Sequence, residues 1–221
     1  MDQLAVLDTA RIPARPAHVS LDAWTMCRPN RAFQYIASQP AGRGWWLALR
    51  RPLFVAFALG CGISLIATGV LTLRLVVSVA AYWTFVPAIE TLGLIAVLWR
   101  PQRHASWAAT IDRFFVGHGA WTLFMILFAA SLTFLPPQTA WRLMTTAWLL
   151  VLPVVLAWSA YIDFCFFRWI SGGSRASAAR KVFIHRLLTW TAIFIVFAVP
   201  NLSPVALGEE LREIVSEILR R

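Results

Sequence analysis

Five long apolar runs constrain the fold of this chain more than any other feature. They cover residues 53–73, 75–99, 118–135, 141–167 and 182–199. Each has roughly the 20 residues that a helix needs to cross a hydrocarbon layer of ~30 Å. The apolar residues are continuous and do not alternate with polar ones, as they would in the strands of a membrane barrel. The sequence therefore predicts an all-α, polytopic integral membrane protein with five transmembrane helices.

The composition also indicates a membrane protein, and the placement of its charges indicates which partners to expect. Hydrophobic residues make up 59% of the chain and charged residues 14%, which leaves too few polar side chains to cover a soluble domain. The formal net charge is +10, and 19 of the 20 basic residues are arginines, most of which flank the apolar runs. Charges in these places fit lipid phosphates, so we expect membrane lipids and no nucleic acid as partners.

The basic residues also predict an orientation. Fifteen lie in the N-terminal tail, the 100–117 loop and the 168–186 region, and five lie on the other side. By the positive-inside rule the N-terminus is cytoplasmic and, after five spans, the C-terminus is periplasmic, as in an inner-membrane protein. The first apolar run follows about 50 residues that read as mature chain, so no signal peptide is expected. The predicted domains are a basic tail (1–52), the helix bundle (53–200) and a periplasmic amphipathic helix (201–221).

Small residues recur at every fourth position of the first run. They are Ala56, Gly60, Ser64, Thr68 and Thr72. This spacing puts them on one helix face, where another backbone can approach closely. We expect the partner helix to belong to the same chain, with a homodimer seam as the alternative.

A second helix is predicted within the basic tail, between Pro29 and Pro40. Asn30 could cap it, and Phe33, Ile36 and Ala37 would lie on one side. Two placements remain open: the helix lies at the membrane interface, or it packs on the bundle.

Glu90 is the most costly residue to bury in the second run. Pro87, one turn earlier, removes a backbone donor near the same level, and Pro153 does the same in the fourth run. These three residues form a candidate intramembrane polar site. Glu90 could bind a ligand or an ion, or it could make a structural hydrogen bond inside the bundle.

A polar collar is predicted at the cytoplasmic rim, as a candidate site for a lipid headgroup. Its residues are Asp112, Arg113, His118, Asp163, Arg168 and His185. We expect His118 in the first turn of the third span, with Gly117 and Gly119 allowing a helix or a lipid to come close. The two histidines also raise the possibility of a bis-histidine haem, although b-type ligands usually lie deeper.

Motifs for enzymes and metal sites are absent from the sequence. There is no HExxH, GxSxG or nucleotide-binding loop, and the three cysteines contain no CxxC pair. We therefore expect a non-enzymatic protein with no cofactor and no metal.

The C-terminal segment 203–219 has an apolar face at helical spacing. Its opposite face is largely acidic, which an anionic membrane would not attract. We expect this amphipathic helix to pack on protein, either its own bundle or another subunit.

The charged tail, the five closely spaced spans, the short turn at Arg74 and the stretch "YWTFVPAIE" resemble bacterial members of the Yip1-like family. That resemblance implies a non-enzymatic protein tied, in eukaryotes, to vesicle traffic and membrane shaping, and it carries no functional residue onto this chain. We therefore expect a scaffold, assembly or membrane-organising protein. A small transporter or channel subunit using Glu90 is the alternative, and a b-type haem subunit is the third.

Overall fold

The computed structural model describes residues 14–40, 42, 44–99 and 106–198. These residues contain helices and no strands. Five helical stretches are long and apolar enough to cross a membrane: Trp46–Thr68, Leu73–Leu98, Trp107–Ser131, Leu149–Trp169 and Arg175–Ala198. They are spans 1 to 5 below. The fold class is confirmed, and the protein is a multi-pass membrane protein. The predicted amphipathic helix at 201–221 lies outside the described residues.

The described residues form ten α-helices. They are α1 (Leu21–Cys27), α2 (Pro29–Ser38), α3 (Trp46–Thr68), α4 (Leu73–Trp83), α5 (Phe85–Leu98), α6 (Trp107–Phe115), α7 (Gly119–Phe134), α8 (Pro137–Thr146), α9 (Leu152–Trp169) and α10 (Arg175–Ala198). The core of large buried side chains lies where spans 1, 3 and 5 begin, and we call this the basic end of the bundle.

Two spans depart from regular α-helix close to a proline. Span 2 breaks at Thr84 between α4 and α5, just before Pro87, whose missing N–H deprives the carbonyl one turn earlier of its donor. Span 4 begins within a π-helical turn, Ala147–Val151, which joins α8 to α9 just before Pro153. Both departures are local, because the helix resumes at once on the far side.

Spans 1 and 3 begin earlier than their apolar runs. Span 3 begins at Trp107, where the Ser106 side chain accepts a hydrogen bond from the Ala109 backbone N–H over 3.2 Å. His118 is therefore about 16 Å along the helix and not in its first turn, so the helix N-terminus does not act on it. Span 1 likewise begins at Trp46 and includes Arg50 and Arg51. Both helices are longer than the apolar runs, because the charged residues just before each run belong to the helix.

The N-terminal helices pack on the bundle. Phe33 of α2 is fully buried, and its ring meets the Phe166 ring edge-on with centroids 5.9 Å apart. Asn30 lies inside α2 and is not its cap, because its side-chain oxygen accepts a hydrogen bond from the Trp169 indole over 2.7 Å. The buried face of α2 includes Ala32, whereas Ala37 is exposed. Of the two placements considered for this helix, the structure has the packed one.

The small-residue stripe lies against α4, within the same chain. Ala56, Gly60 and Ser64 are buried. A Cβ atom on Gly60 would come within 2.4 Å of the Val76 carbonyl oxygen, so only glycine permits this approach. The stripe is shorter than predicted, because Gly69 ends α3 in a left-handed conformation and Thr72 is the N-cap residue of α4. Thr68 is exposed in the last turn of α3.

Candidate functional site

Each acidic side chain in the described part of the chain is paired with a basic side chain from another helix. Asp22 contacts Arg51; Glu90 contacts His118; Asp112 contacts Arg50 and Arg51; Asp163 contacts Arg186. These pairs join α1 to span 1, span 2 to span 3, span 1 to span 3, and span 4 to span 5. Pairing of this kind offsets part of the cost of placing a carboxylate among apolar helices.

The Glu90–His118 contact is the central feature of the candidate site. His118 Nε2 lies 3.0 Å from Glu90 Oε2, and the two side chains are only 11% and 20% exposed. Glu90 is about 12 Å from the end of α5, so the contact is well inside the bundle. The sequence indicates both residues but assigns them to separate sites, because it predicts Glu90 inside the membrane and His118 in the first turn of span 3, at the cytoplasmic rim.

The glycines on either side of His118 allow two other helices to approach it. A Cβ atom on Gly117 would come within 2.6 Å of Ile162 Cγ2 in α9. One on Gly119 would come within 2.8 Å of Met26 Sδ in α1. The chain forms a short 3₁₀ turn, Val116–His118, between α6 and α7 at this point. Close helix packing, and not lipid, is therefore the reason for the Gly-His-Gly sequence.

His185 of span 5 completes the site on the other side of Glu90. Its Nε2 atom lies 3.1 Å from the Glu90 backbone oxygen. Gly93 allows this approach, because a Cβ atom there would be 3.0 Å from Thr189 Oγ1 and 3.3 Å from His185 Cδ2. The Phe114 ring contacts both imidazoles, with centroids 5.0 Å from His118 and 5.1 Å from His185.

Three polar atoms around Glu90 are buried without a hydrogen-bond partner among the described residues. They are His118 Nδ1, His185 Nδ1 and Thr189 Oγ1. The three residues are 9%, 3% and 5% exposed, so bulk water does not replace the missing partner. Unpaired buried groups are costly, and they are frequently retained where they act on a proton or a ligand.

A second polar group lies beside the histidines. Arg186 donates to Asp163 Oδ2 from Nε over 3.0 Å and from Nη2 over 2.7 Å, and Nη2 also donates to Ser159 Oγ. The Trp121 indole donates to Ser159 Oγ over 3.2 Å, which connects span 3 to this pair. Asp163 is close enough to His118, and Arg186 close enough to Glu90, for electrostatic interaction.

A third group, nearer the basic end, is separate from Glu90. Arg50 binds Asp112 with two hydrogen bonds of 2.7 Å, and Arg51 donates to the same carboxylate over 2.9 Å. Arg113 donates to the Gln39 carbonyl, and Arg168 stacks on the Trp169 ring 4.9 Å from its centroid. The predicted collar is therefore not one ring, because its members take different partners on different helices.

The predicted role of Pro153 is not supported by its position. Pro153 is exposed on the outside of span 4, whereas Pro87 is buried one turn from Glu90. Several contributors were missed by the sequence reasoning: Arg50, Arg51, Gly93, Ser159, Arg186 and Thr189. Arg186 had a usable signal, since a charged residue inside an apolar run requires a buried partner.

No family model, characterised protein or solved structure matches this chain. Among the described residues, no three His, Cys, Asp or Glu side chains come together as metal ligands.

Proposed function

We propose that the protein is a non-catalytic inner-membrane scaffold that assembles or organises other membrane components. The observation that carries this proposal is the complete pairing of the described carboxylates, each with a cation from another helix. Carboxylates used in this way join helices and keep them in a fixed arrangement. A fixed bundle with an apolar exterior suits a role in holding partners.

The exposed strip of the first span between its contacts with α4 and with α7, where Gly62 packs against Ala129, is the surface proposed for such a partner. The stripe itself is occupied by α4, so a second copy or another protein would meet residues such as Phe57, which is 51% exposed. The amphipathic segment 203–219 is the other proposed contact. Membrane lipids cover the remaining surface.

A photo-crosslinking amino acid at position 57 tests this proposal. In native membranes we expect a discrete crosslinked protein, either a second copy or one partner. The same amino acid at Leu92, which is 65% exposed on span 2, serves as the matched control. Lipid adducts alone at both positions would contradict the scaffold role.

The proposed orientation puts the N-terminus in the cytoplasm and the C-terminus in the periplasm. It is supported by the fifteen basic residues on one side against five on the other. Reporter fusions at the two ends should therefore report opposite compartments. Two reporters in one compartment would exclude five complete crossings.

Kinship with the Yip1-like family remains part of the proposal. It is supported by the spacing of the five spans and by the short turn between spans 1 and 2. The family's non-enzymatic character agrees with a scaffold role.

The second candidate function is a small transporter or channel subunit that uses Glu90. The contact between two titratable groups, Glu90 and His118, inside the bundle favours it. Proteoliposome flux that disappears in Glu90→Gln but persists in Asp112→Asn would establish it. Asp112→Asn is a matched control because it also removes a buried paired carboxylate.

A b-type haem subunit is the third candidate. Haem ligation by His118 and His185 would require both Nε2 atoms to leave Glu90, where they make their contacts of 3.0 and 3.1 Å. An absorption spectrum of the purified protein tests this candidate, since a bound haem gives an intense Soret band.

A further inference from the structure

We propose that Glu90, His118 and His185 form an intramembrane proton-binding site. The inference concerns binding only; it agrees with a scaffold that responds to pH and, if the second candidate function is correct, it names the proton as the ion handled. Glu90 contacts both imidazoles, His118 through its carboxylate and His185 through its backbone carbonyl.

The backbone contact determines which nitrogen of His185 carries the proton. A carbonyl oxygen only accepts hydrogen bonds, so His185 Nε2 must donate to Glu90. In the neutral imidazole the lone pair is then on Nδ1, which is buried and unpartnered. His185 therefore presents a free basic nitrogen to the interior of the bundle.

His118 has a similar free nitrogen. Its Nε2 atom faces an oxygen of the Glu90 carboxylate, to which it donates when the carboxylate is ionised. Its Nδ1 atom is buried and makes no hydrogen bond of normal geometry, and the Phe114 backbone carbonyl lies near enough to interact with a proton bound there. A proton that enters at His118 Nδ1 makes this side chain an imidazolium, whose Nε2 proton can then pass to Glu90 along the existing hydrogen bond and leave a neutral imidazole protonated at Nδ1. The His185 Nδ1 atom is the other place where a proton can enter.

The charge balance of the cluster favours taking up a proton. With both imidazoles neutral and Glu90 ionised, the three residues carry one net negative charge among apolar helices. The charged groups that face them from spans 4 and 5, Asp163 and Arg186, neutralise each other. Arg50 and Arg51 of span 1 likewise pair with Asp112 and with Asp22 of α1, so this group has no net charge. One proton therefore cancels the remaining charge, which burial otherwise disfavours.

A purely structural contact would not account for the same set of atoms. Helix packing needs only the Glu90–His118 hydrogen bond, and it gains nothing from unpartnered atoms on His118, His185 and Thr189. Gly93 brings span 5 close enough for His185 and Thr189 to line the same region of span 2. Buried polar atoms of this kind are suited to a water molecule that delivers the proton.

Nitrogen-15 NMR of histidine-labelled protein in lipid bilayers tests the proposal. The chain has four histidines, so His118→Gln and His185→Gln assign the two signals by their loss. At high pH we expect the His185 signal of the form protonated at Nε2. As the pH falls, one proton should enter the cluster, and the signal of the histidine that receives it should change its protonation form. Signals of His118 and His185 that keep one protonation state wherever the protein stays folded would overturn the proposal.

The coupling between the groups gives a second readout. Glu90→Gln should shift the titration midpoint of His118 by about one pH unit or more, a tenfold change in proton affinity. Asp112→Asn should leave that midpoint in place. If Glu90→Gln does not fold, Glu90→Asp replaces it and should shift the same midpoint. An unshifted midpoint in a folded variant would also overturn the proposal, and because flux is measured separately, a lack of transport would not affect it.

Discussion

The hairpin of α3 and α4 and the cluster around Glu90 hold helices together by different means. In the hairpin, Gly60 allows the two backbones to approach so closely that a Cβ atom would come within 2.4 Å of the Val76 oxygen. Around Glu90, the helices are joined by side chains that carry or exchange charge, such as Asp163 with Arg186. The hairpin depends on shape, whereas the cluster depends on electrical neutrality.

This difference shows two solutions to the same physical problem. Helices in lipid gain little from the hydrophobic effect, since the lipid tails are as apolar as the side chains. Close packing and polar contacts must therefore supply the attraction. The α3–α4 hairpin should lose stability when side-chain volume is added between its helices. The charged cluster should lose stability when one of its charges is removed.

The largest effect is expected from Arg186→Met. This change leaves the Asp163 carboxylate, with its side chain only 13% exposed, without its cation. Removing one partner of a buried pair costs about 3–5 kcal/mol of unfolding free energy. Thermal unfolding in detergent measures the loss.

Two further variants sharpen this test. The double variant Arg186→Met with Asp163→Leu should recover much of the lost stability, because no uncompensated charge remains. Arg168→Met, at an arginine that stacks on Trp169, should cost much less. Equal losses in Arg186→Met and Arg168→Met would show that the buried pair has no special role.

Gly60→Leu is expected to have the next largest effect. The added side chain meets a backbone atom of α4, which cannot rotate away, so the hairpin must separate. Overpacking of this kind costs about 1–3 kcal/mol. Ala67→Leu, at an exposed position on the same helix, is the control and should leave the melting temperature unchanged. A melting temperature for Gly60→Leu equal to that of the control would mean that the stability of the α3–α4 hairpin does not depend on close packing at Gly60.

A smaller effect is expected from Gly117→Ala. The new methyl group meets Ile162 Cγ2, the end of a side chain that can shift a little, so we expect a loss of about 1 kcal/mol. Ile162→Leu in the same chain should restore part of it, because leucine has no Cγ2 methyl group on its Cβ atom. If the double variant is less stable than Gly117→Ala alone, the contact between these residues is not the cause.

The smallest effect is expected from Trp158→Phe. The change removes an indole N–H that donates to the Met26 carbonyl over 2.9 Å, worth about 1 kcal/mol. Because this bond fixes α1 to the bundle, amide hydrogen exchange in residues 21–27 should become faster. Trp190→Phe, at a half-exposed position on span 5, should leave that exchange unchanged. The hydrogen bond is unimportant if exchange in α1 is the same in both variants.

Much of the fold could be predicted from the sequence, and the exceptions have a common cause. The spans are predictable because a continuous apolar run of about 20 residues almost always forms a transmembrane helix. The starts of spans 1 and 3 differ from the prediction, because Arg50, Arg51 and Asp112 lie within the helices. Their charges neutralise one another, so these side chains do not have to lie among the lipid headgroups. The sequence does not determine the position of α2, because a helix with one apolar face can pack on a membrane surface or on a protein.

The candidate site was predictable only as separate residues. Glu90, His118 and His185 each stood out because a titratable group inside or beside an apolar run is expensive. Nothing in the sequence indicates that His118 faces the Glu90 carboxylate while His185 faces its carbonyl. That pairing depends on the rotation of spans 2, 3 and 5 about their axes.

The sequence by itself determined that the chain is all-helical, crosses a membrane five times and must neutralise its internal charges. These properties follow from the length of each apolar run and from the cost of exposing a backbone or a charge to hydrocarbon. Only the tertiary structure decided which charges meet. Contacts between residues far apart in the chain depend on how glycines such as Gly60, Gly93 and Gly117 let particular helix faces approach, and that fit is a property of the packed bundle.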